Sequence, residues 1–324
     1  MNFHLSFPIK KLSSEIKYSD KLFFMGSCFA ENIGKITQQY KFNTSINPHG
    51  VLYNPSAIKT ALCRYIDNAP LNEAELFFAN DCWNSWEHHS RFSATEKTAC
   101  LNTINEHISS AHEHLKKTEW LFITFGSAFF YSLNNSNKRV GNCHKIPQNE
   151  FSKVMLTVTE ITSEYELLLK QLKGINSNLK VVFTVSPVRY VRDGVIENTL
   201  SKARLIEATH AIVAQNKNAF YFPAYEIMMD DLRDYRFYKS DLVHPTEQAI
   251  EYIFEKLVET TFSNESKHIL EKIKDILKAA QHRAFNSTSE SFMKFKSTYA
   301  ERCKQLQKEY SFLNLKNEIE HFEQ

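Results

Sequence analysis

The stretch Leu22-Phe23-Phe24-Met25-Gly26-Ser27 decides how this chain folds: four apolar residues stop at a glycine and a serine, and Phe29, Ile33, Ile36 and Tyr40 then recur at helical spacing. The pattern predicts strand, tight turn, helix. The same grammar returns downstream, where Trp120-Leu121-Phe122-Ile123-Thr124-Phe125 ends at Gly126-Ser127 and Val181-Val182-Phe183-Thr184-Val185 ends at Ser186-Pro187. A fourth run, Ala219-Phe220-Tyr221-Phe222, ends at Pro223. Runs apolar on both faces suit a parallel sheet covered by helices, because an antiparallel sheet with one wet face alternates. Helical stretches at roughly 96–117, 151–173, 197–216 and 246–259 are long enough to serve as crossovers. The predicted fold is therefore α/β, a doubly wound and mainly parallel sheet between helical layers. Ligands in such sheets bind beyond the carboxyl ends of the strands, the edge that would carry Ser27, Ser127 and Ser186.

Composition narrows the function classes. The chain has 324 residues, 43% of them hydrophobic and 23% charged, enough to bury a full core. Its 39 basic and 37 acidic residues leave a formal charge of +2, so no global field attracts nucleic acid or an anionic membrane. No apolar run approaches a membrane span, and the first 20 residues lack a signal-peptide core, so the expected location is cytoplasmic. The six cysteines are widely spaced without a C-x-x-C pair, which reads as reduced structural thiols. Glycine is scarce: there are 7, where average usage would give about 23, so each one has reason to mark a special backbone position. After about residue 262 the chain turns Lys-, Glu- and Gln-rich, with Ile269, Leu270, Ile273, Ile276 and Leu277 at amphipathic spacing, and 291–322 reads as one more helix. The expected organisation is a domain over 1–262 and a helical extension over 263–324, which packs on that domain or joins a second subunit in a homo-oligomer.

Two constellations carry chemistry. Ser27, at the head of a helix, would have its hydroxyl at the sheet edge, its own N–H free for an oxyanion and the helix dipole nearby, as a nucleophile needs; a plain N-cap is the blander reading. In Asp241-Leu242-Val243-His244-Pro245, Pro245 suits the first turn of the next helix and fixes His244 at its start. A carboxylate three residues earlier can reach back to one imidazole nitrogen and leave the other as a general base, whereas the alternative is an Asp-capped turn with a solvated histidine.

Gly26-Ser27-Cys28-Phe29-Ala30 resembles, letter for letter, the motif of the GSCFA family, within the SGNH (GDSL-like) hydrolase superfamily. Asn47-Pro48-His49-Gly50-Val51-Leu52-Tyr53-Asn54-Pro55, Asn198-Thr199-Leu200-Ser201-Lys202, Tyr221-Phe222-Pro223-Ala224-Tyr225-Glu226 and Asp241-Leu242-Val243-His244-Pro245 look like family segments in the family's order, spanning roughly residues 20–260. The resemblance implies a flavodoxin-like three-layer sandwich and serine esterase chemistry, with Ser27 as nucleophile, His244 as base and Asp241 as its orienting acid. It also implies an oxyanion hole made by the Ser27 N–H, the Gly50 N–H and an asparagine. The chain departs from the pattern at that asparagine: Gly126-Ser127-Ala128-Phe129 contains no Gly-x-Asn, so Asn142, Asn47 or the Ser127 hydroxyl stands as substitute.

The expected substrate is a small-molecule or carbohydrate ester, with no cofactor, no metal and no nucleic-acid partner. Asn47, His49, Arg189 and His88 are the candidate substrate-binding residues, His88 and His89 being placed at the substrate edge or in solvent. Cys82, His88, His89, Cys143 and His144 lack the spacing of a zinc motif. Ser201 and Lys202 line a helix, with nothing in the residues to make them catalytic. Acyl transfer by the same site, and a non-catalytic binding or scaffold protein retaining the fold, are the alternatives.

Overall fold

A computed structural model describes residue 5, residues 7–282, residues 285–286 and residues 288–324. The opening stretch forms β1 (Lys21–Gly26) and α1 (Cys28–Gln39), followed by β2 (Asn43–Ile46) and α2 (Pro55–Asp67). A hairpin of β3 (Leu76–Ala79) and β4 (Cys82–Ser85) precedes α3 (Lys97–Leu115) and β5 (Trp120–Phe125). A small antiparallel sheet of β6 (Phe129–Leu133), β7 (Arg139–Val140) and β8 (Phe151–Met155) leads to α4 (Val158–Ile175), β9 (Lys180–Val185), α5 (Val195–Gln215) and β10 (Ala219–Tyr221). The remaining elements include the one-turn α6 (Ala224–Glu226), then α7 (Glu247–Thr261), α8 (Asn264–Ala280), α9 (Glu290–Glu309) and α10 (Lys316–Glu323).

Five strands pair in parallel in the order β10-β9-β5-β1-β2. Numbered among themselves they run 2-1-3-4-5, the flavodoxin-like order, whose direction reverses between β1 and β5. Alternate residues of the apolar runs feed opposite faces. Leu22, Phe24, Trp120 and Phe122 pack with α1, α7 and α8, while Phe23, Met25, Leu121 and Ile123 pack with α2, α3, α4 and α5. This is the three-layer α/β sandwich. Each buried aromatic or aliphatic side chain contributes about 1.5–3 kcal/mol, so both helical layers are held by the same strands.

Two elements differ from the sequence pattern. Phe151–Met155 is the strand β8, paired with β6, and not the first turns of α4; its alternating burial is a period-2 signal that the adjoining 3.6-residue pattern overran. The edge strand β2, Asn43-Thr44-Ser45-Ile46, is polar and half-exposed, and so lacks the apolar signature of its neighbours. Beyond α7, the apolar face of α8 enters the same core as Phe42, Leu257 and Phe262. Ser266 Oγ donates to the Ile16 carbonyl at 2.9 Å, and Lys41 pairs with Glu318 of α10 at 2.5 Å. The extension therefore packs on its own chain, and 291–322 contains two helices where one was expected. No helix among the described residues is long and apolar enough to cross a membrane.

Candidate active site

The sheet reverses direction where β1 and β5 end. Gly26, the last residue of β1, has φ +130°, and a Cβ there would lie 2.1 Å from the Thr124 carbonyl oxygen, so the turn admits only glycine. Its N–H donates to Asn47 Oδ1 at 2.8 Å and its carbonyl accepts from Leu52 N–H at 3.0 Å, which ties the loop 47–52 over the strand end. Ser27 then begins α1 with extended backbone, but its side chain makes no capping bond. The hydroxyl is buried, at 1% exposure for the residue, and has no hydrogen-bond partner. A capping serine would satisfy a helix N–H, and Ser27 does not.

Both backbone amides expected to be free are engaged. The Ser27 N–H donates to the Thr124 carbonyl at 3.2 Å, because the β1–β5 ladder runs one residue past Gly26. The Gly50 N–H closes a turn onto the Asn47 carbonyl at 2.7 Å, and Gly50 at φ +83° is needed for packing, since a Cβ would meet His89 Cβ at 2.2 Å. Asn47 Nδ2, on the same loop, is a buried donor without a partner, and His49 Nε2 two residues on is also unpartnered.

Asp241 and His244 lie on the loop before α7, about half exposed. Asp241 Oδ2 is 2.7 Å from His244 Nδ1, while its Oδ1 accepts the N–H groups of Val243 and His244, each at 2.9 Å. These amides and the imidazole hold the carboxyl down to about 2, so it is a carboxylate at any working pH. The loop sits at the sheet's carboxyl edge, where the Val243 carbonyl accepts the Arg189 N–H beyond β9 at 3.2 Å. No hydrogen bond joins Ser27 to His244.

The other candidates divide. His49 and His88 are buried and stacked with ring centroids 3.8 Å apart, His49 bonded to the Tyr65 hydroxyl at 2.5 Å and His88 to Ser85 Oγ at 2.9 Å. Burial lowers both, His88 to about 3, so they are neutral core rings and not the substrate-edge or solvated groups expected. His89 is half-buried, its ring accepting the Arg91 N–H. Arg189 is half-buried beside the Tyr238 ring, 5.7 Å from its centroid. Ser127 and Asn142 line a cavity of about 390 Å³ together with Tyr53, Phe129, Tyr190 and Arg192. Gly126, next to the cavity-lining Ser127, lies against Ser27: its hydrogen faces Ser27 Cβ, Tyr53 and the Tyr53 carbonyl, all at 3.1–3.4 Å from where a Cβ would stand.

The model of the GSCFA family matches residues 21–257, and that of the GSCFA domain protein, C-terminal domain, matches residues 273–324. The chain belongs to the GSCFA family. No curated protein matches it. Among solved structures, an acetyl xylan esterase (Est2A) from the rumen bacterium Butyrivibrio proteoclasticus aligns at 13% identity and a TM-score of 0.35. The alignment covers 75% of the GSCFA chain and 64% of the esterase, less than two thirds of its length.

One segment of this GSCFA protein that the sequence reading placed on a helix without a role makes contacts it did not foresee. Asn198, Ser201 and Lys202 are buried on a single face of α5. Asn198 Oδ1 accepts the Tyr190 N–H at 2.9 Å, Ser201 Oγ accepts the Ala128 N–H at 2.8 Å, and Lys202 Nζ donates to the carbonyls of Gly126 (2.8 Å) and Ser186 (2.7 Å). Their i, i+3, i+4 spacing was the available signal: polar residues in phase with Leu205, Ala208 and Ile212 on the core side of a helix.

Proposed function

We propose that this protein is a serine esterase-type hydrolase acting on acyl or acetyl esters of a small molecule or carbohydrate. One observation carries the reading: a serine hydroxyl with neither a capping bond nor any partner at the sheet's switch point, on the edge that also presents an imidazole held at Nδ1 by a carboxylate. In this reading His244 Nε2 takes the Ser27 proton as Oγ attacks the ester carbonyl. The tetrahedral intermediate collapses, the alcohol leaves with that proton, and water activated by His244 releases the acid from the acyl-enzyme. The Ser27–His244 contact forms with substrate bound, as catalytic hydrogen bonds that are loose in a free enzyme tighten in the complex.

With the Ser27 and Gly50 amides engaged, we assign the oxyanion to Asn47 Nδ2. One such donor is worth about 3 kcal/mol of the barrier. The cavity beside Gly126, walled by Tyr53, Phe129 and Tyr190, would seat the rest of the ester, aromatic faces suiting a sugar ring or an acyl chain. The order of the family segments supports the roles of Ser27, Asp241 and His244.

The test is a fluorophosphonate probe followed by a p-nitrophenyl acyl ester series, run on the wild-type protein and Ser27→Ala. Labelling and hydrolysis both vanish in the variant if the reading holds. Full activity in Ser27→Ala overturns it, and a folded wild-type protein that neither labels nor hydrolyses points to a binding role.

A further inference from the structure

Lys202 is fully buried and forms no ion pair among the described residues. Its partners are two carbonyls, Gly126 just past β5 and Ser186 just past β9. An ammonium carries three N–H donors and a neutral amine two, so two acceptors in a dry site match the amine. Burial acts in the same direction and brings the group from 10.5 down to about 7, with the neighbouring Cys28 opposing. Around it stand the Cys28 thiol of α1 and the Tyr225 ring of α6, with Lys202 Nζ 5.8 Å from the ring centroid. Burial raises both of these groups, so both are neutral near pH 7. Glu31 of α1 acts on Cys28, and Glu226, Arg189 and Asp230 act on Tyr225, so these are the charged groups next outward from the site.

We propose that Lys202 is a positioning residue for the nucleophile: it ties the carboxyl ends of β5 and β9 together and thereby holds Gly126 against Ser27. Gly126 is the hinge of this effect, since its own N–H and that of Ser127 both donate to the Tyr53 carbonyl, at 2.7 and 2.9 Å, while its free face abuts Ser27. Ser201, the preceding residue on the helix, fastens the next amide of the same loop, Ala128. Protonating Lys202 places a third N–H at the junction with only the Tyr225 ring face, 5.8 Å away, to meet it, and a charge in a dry site, which loosens the clamp. The positioning of Ser27 rests on the esterase reading, whereas the clamp itself does not.

The experiment has two arms, so that failure of either idea is separately visible. In the first, amide hydrogen exchange of the wild-type protein is followed from pH 6.0 to 8.5, corrected for the intrinsic rate. Protection of Gly126, Ser127, Ala128 and Ser186, all hydrogen-bonded amides, rises by about tenfold or more across that range, one pKa unit of differential interaction being a tenfold effect. In Lys202→Met the rise is absent, and Lys202→Arg does not restore it, because guanidinium cannot give up its proton. In the second arm, the fluorophosphonate labelling rate of Ser27 falls about tenfold in Lys202→Met, measured well below its melting temperature, without a change in the probe's saturation constant. Flat protection in the wild type, or a folded Lys202→Met with wild-type protection and labelling, overturns the proposal. Absence of labelling in the wild type itself counts against the esterase reading alone and leaves the exchange arm decisive for the clamp.

Discussion

The loop 241–244 and the inner face of α5 both reach the carboxyl edge of the sheet, but from opposite surroundings. Asp241 and His244 are half in solvent, an acid and a base side by side; Asn198, Ser201 and Lys202 are sealed in the interior, and the lysine there has carbonyls in place of an acid. In water a carboxylate–imidazole pair contributes little to the fold and is available for chemistry. On the inner face of α5 the polar atoms are paired with backbone groups, because each one left unsatisfied there would destabilise the fold. The difference teaches that hydrogen-bond saturation separates the two regions: every polar atom named on the α5 face is spent on a backbone partner, whereas the loop keeps His244 Nε2 and the strand end keeps the Ser27 hydroxyl without one among the described residues.

This contrast can be broken by measurement. The largest effect should come from the exposed pair: Asp241→Asn lowers kcat on a p-nitrophenyl ester by about 10²–10⁴-fold by favouring the wrong tautomer, with the melting temperature unchanged. A matching loss of thermal stability would show that the pair is structural after all. Next is Lys202, read by urea denaturation across pH. The unfolded chain keeps its proton up to about 10.5 and the folded one releases it near 7, so the unfolded state binds more protons between those values and stability rises with pH through that window. In Lys202→Met that slope disappears.

Smaller is Ser201→Ala, which strands the buried Ala128 N–H and destabilises by about 1–3 kcal/mol in urea titration. The smallest sharpens the boundary between the two regions: Arg189→Ala removes a half-buried contact with Tyr238, ring and hydroxyl, and should change stability by about 1 kcal/mol or less. A larger loss would move Arg189 into the structural set.

Much of this was legible before any coordinates. The runs ending at Gly26, Gly126 and Ser186 are β1, β5 and β9, since a strand buried on both faces has to be apolar throughout. The turn Asp241–His244 was readable because its bond spans three residues, a distance set by local backbone geometry. His88 was misplaced for the complementary reason: nothing next to it in sequence announces that it stacks on His49, 39 positions earlier. The engaged amide of Ser27 was equally invisible, as its acceptor is the Thr124 carbonyl on a neighbouring strand, whereas that of Gly50 closes a local turn three residues long that the sequence reading passed over.

By itself, then, the sequence determined the four apolar strands of the parallel sheet, the main crossover helices and the residues that arrive at its carboxyl edge, because periodicity and turn chemistry are local. The tertiary structure alone decided which of those residues are wet or dry and which polar atoms are left without partners. Burial is a property of what the rest of the chain places around a side chain, and it made Lys202 a clamp, left the Ser27 hydroxyl and Asn47 Nδ2 unpaired, and folded the C-terminal helices back onto their own domain.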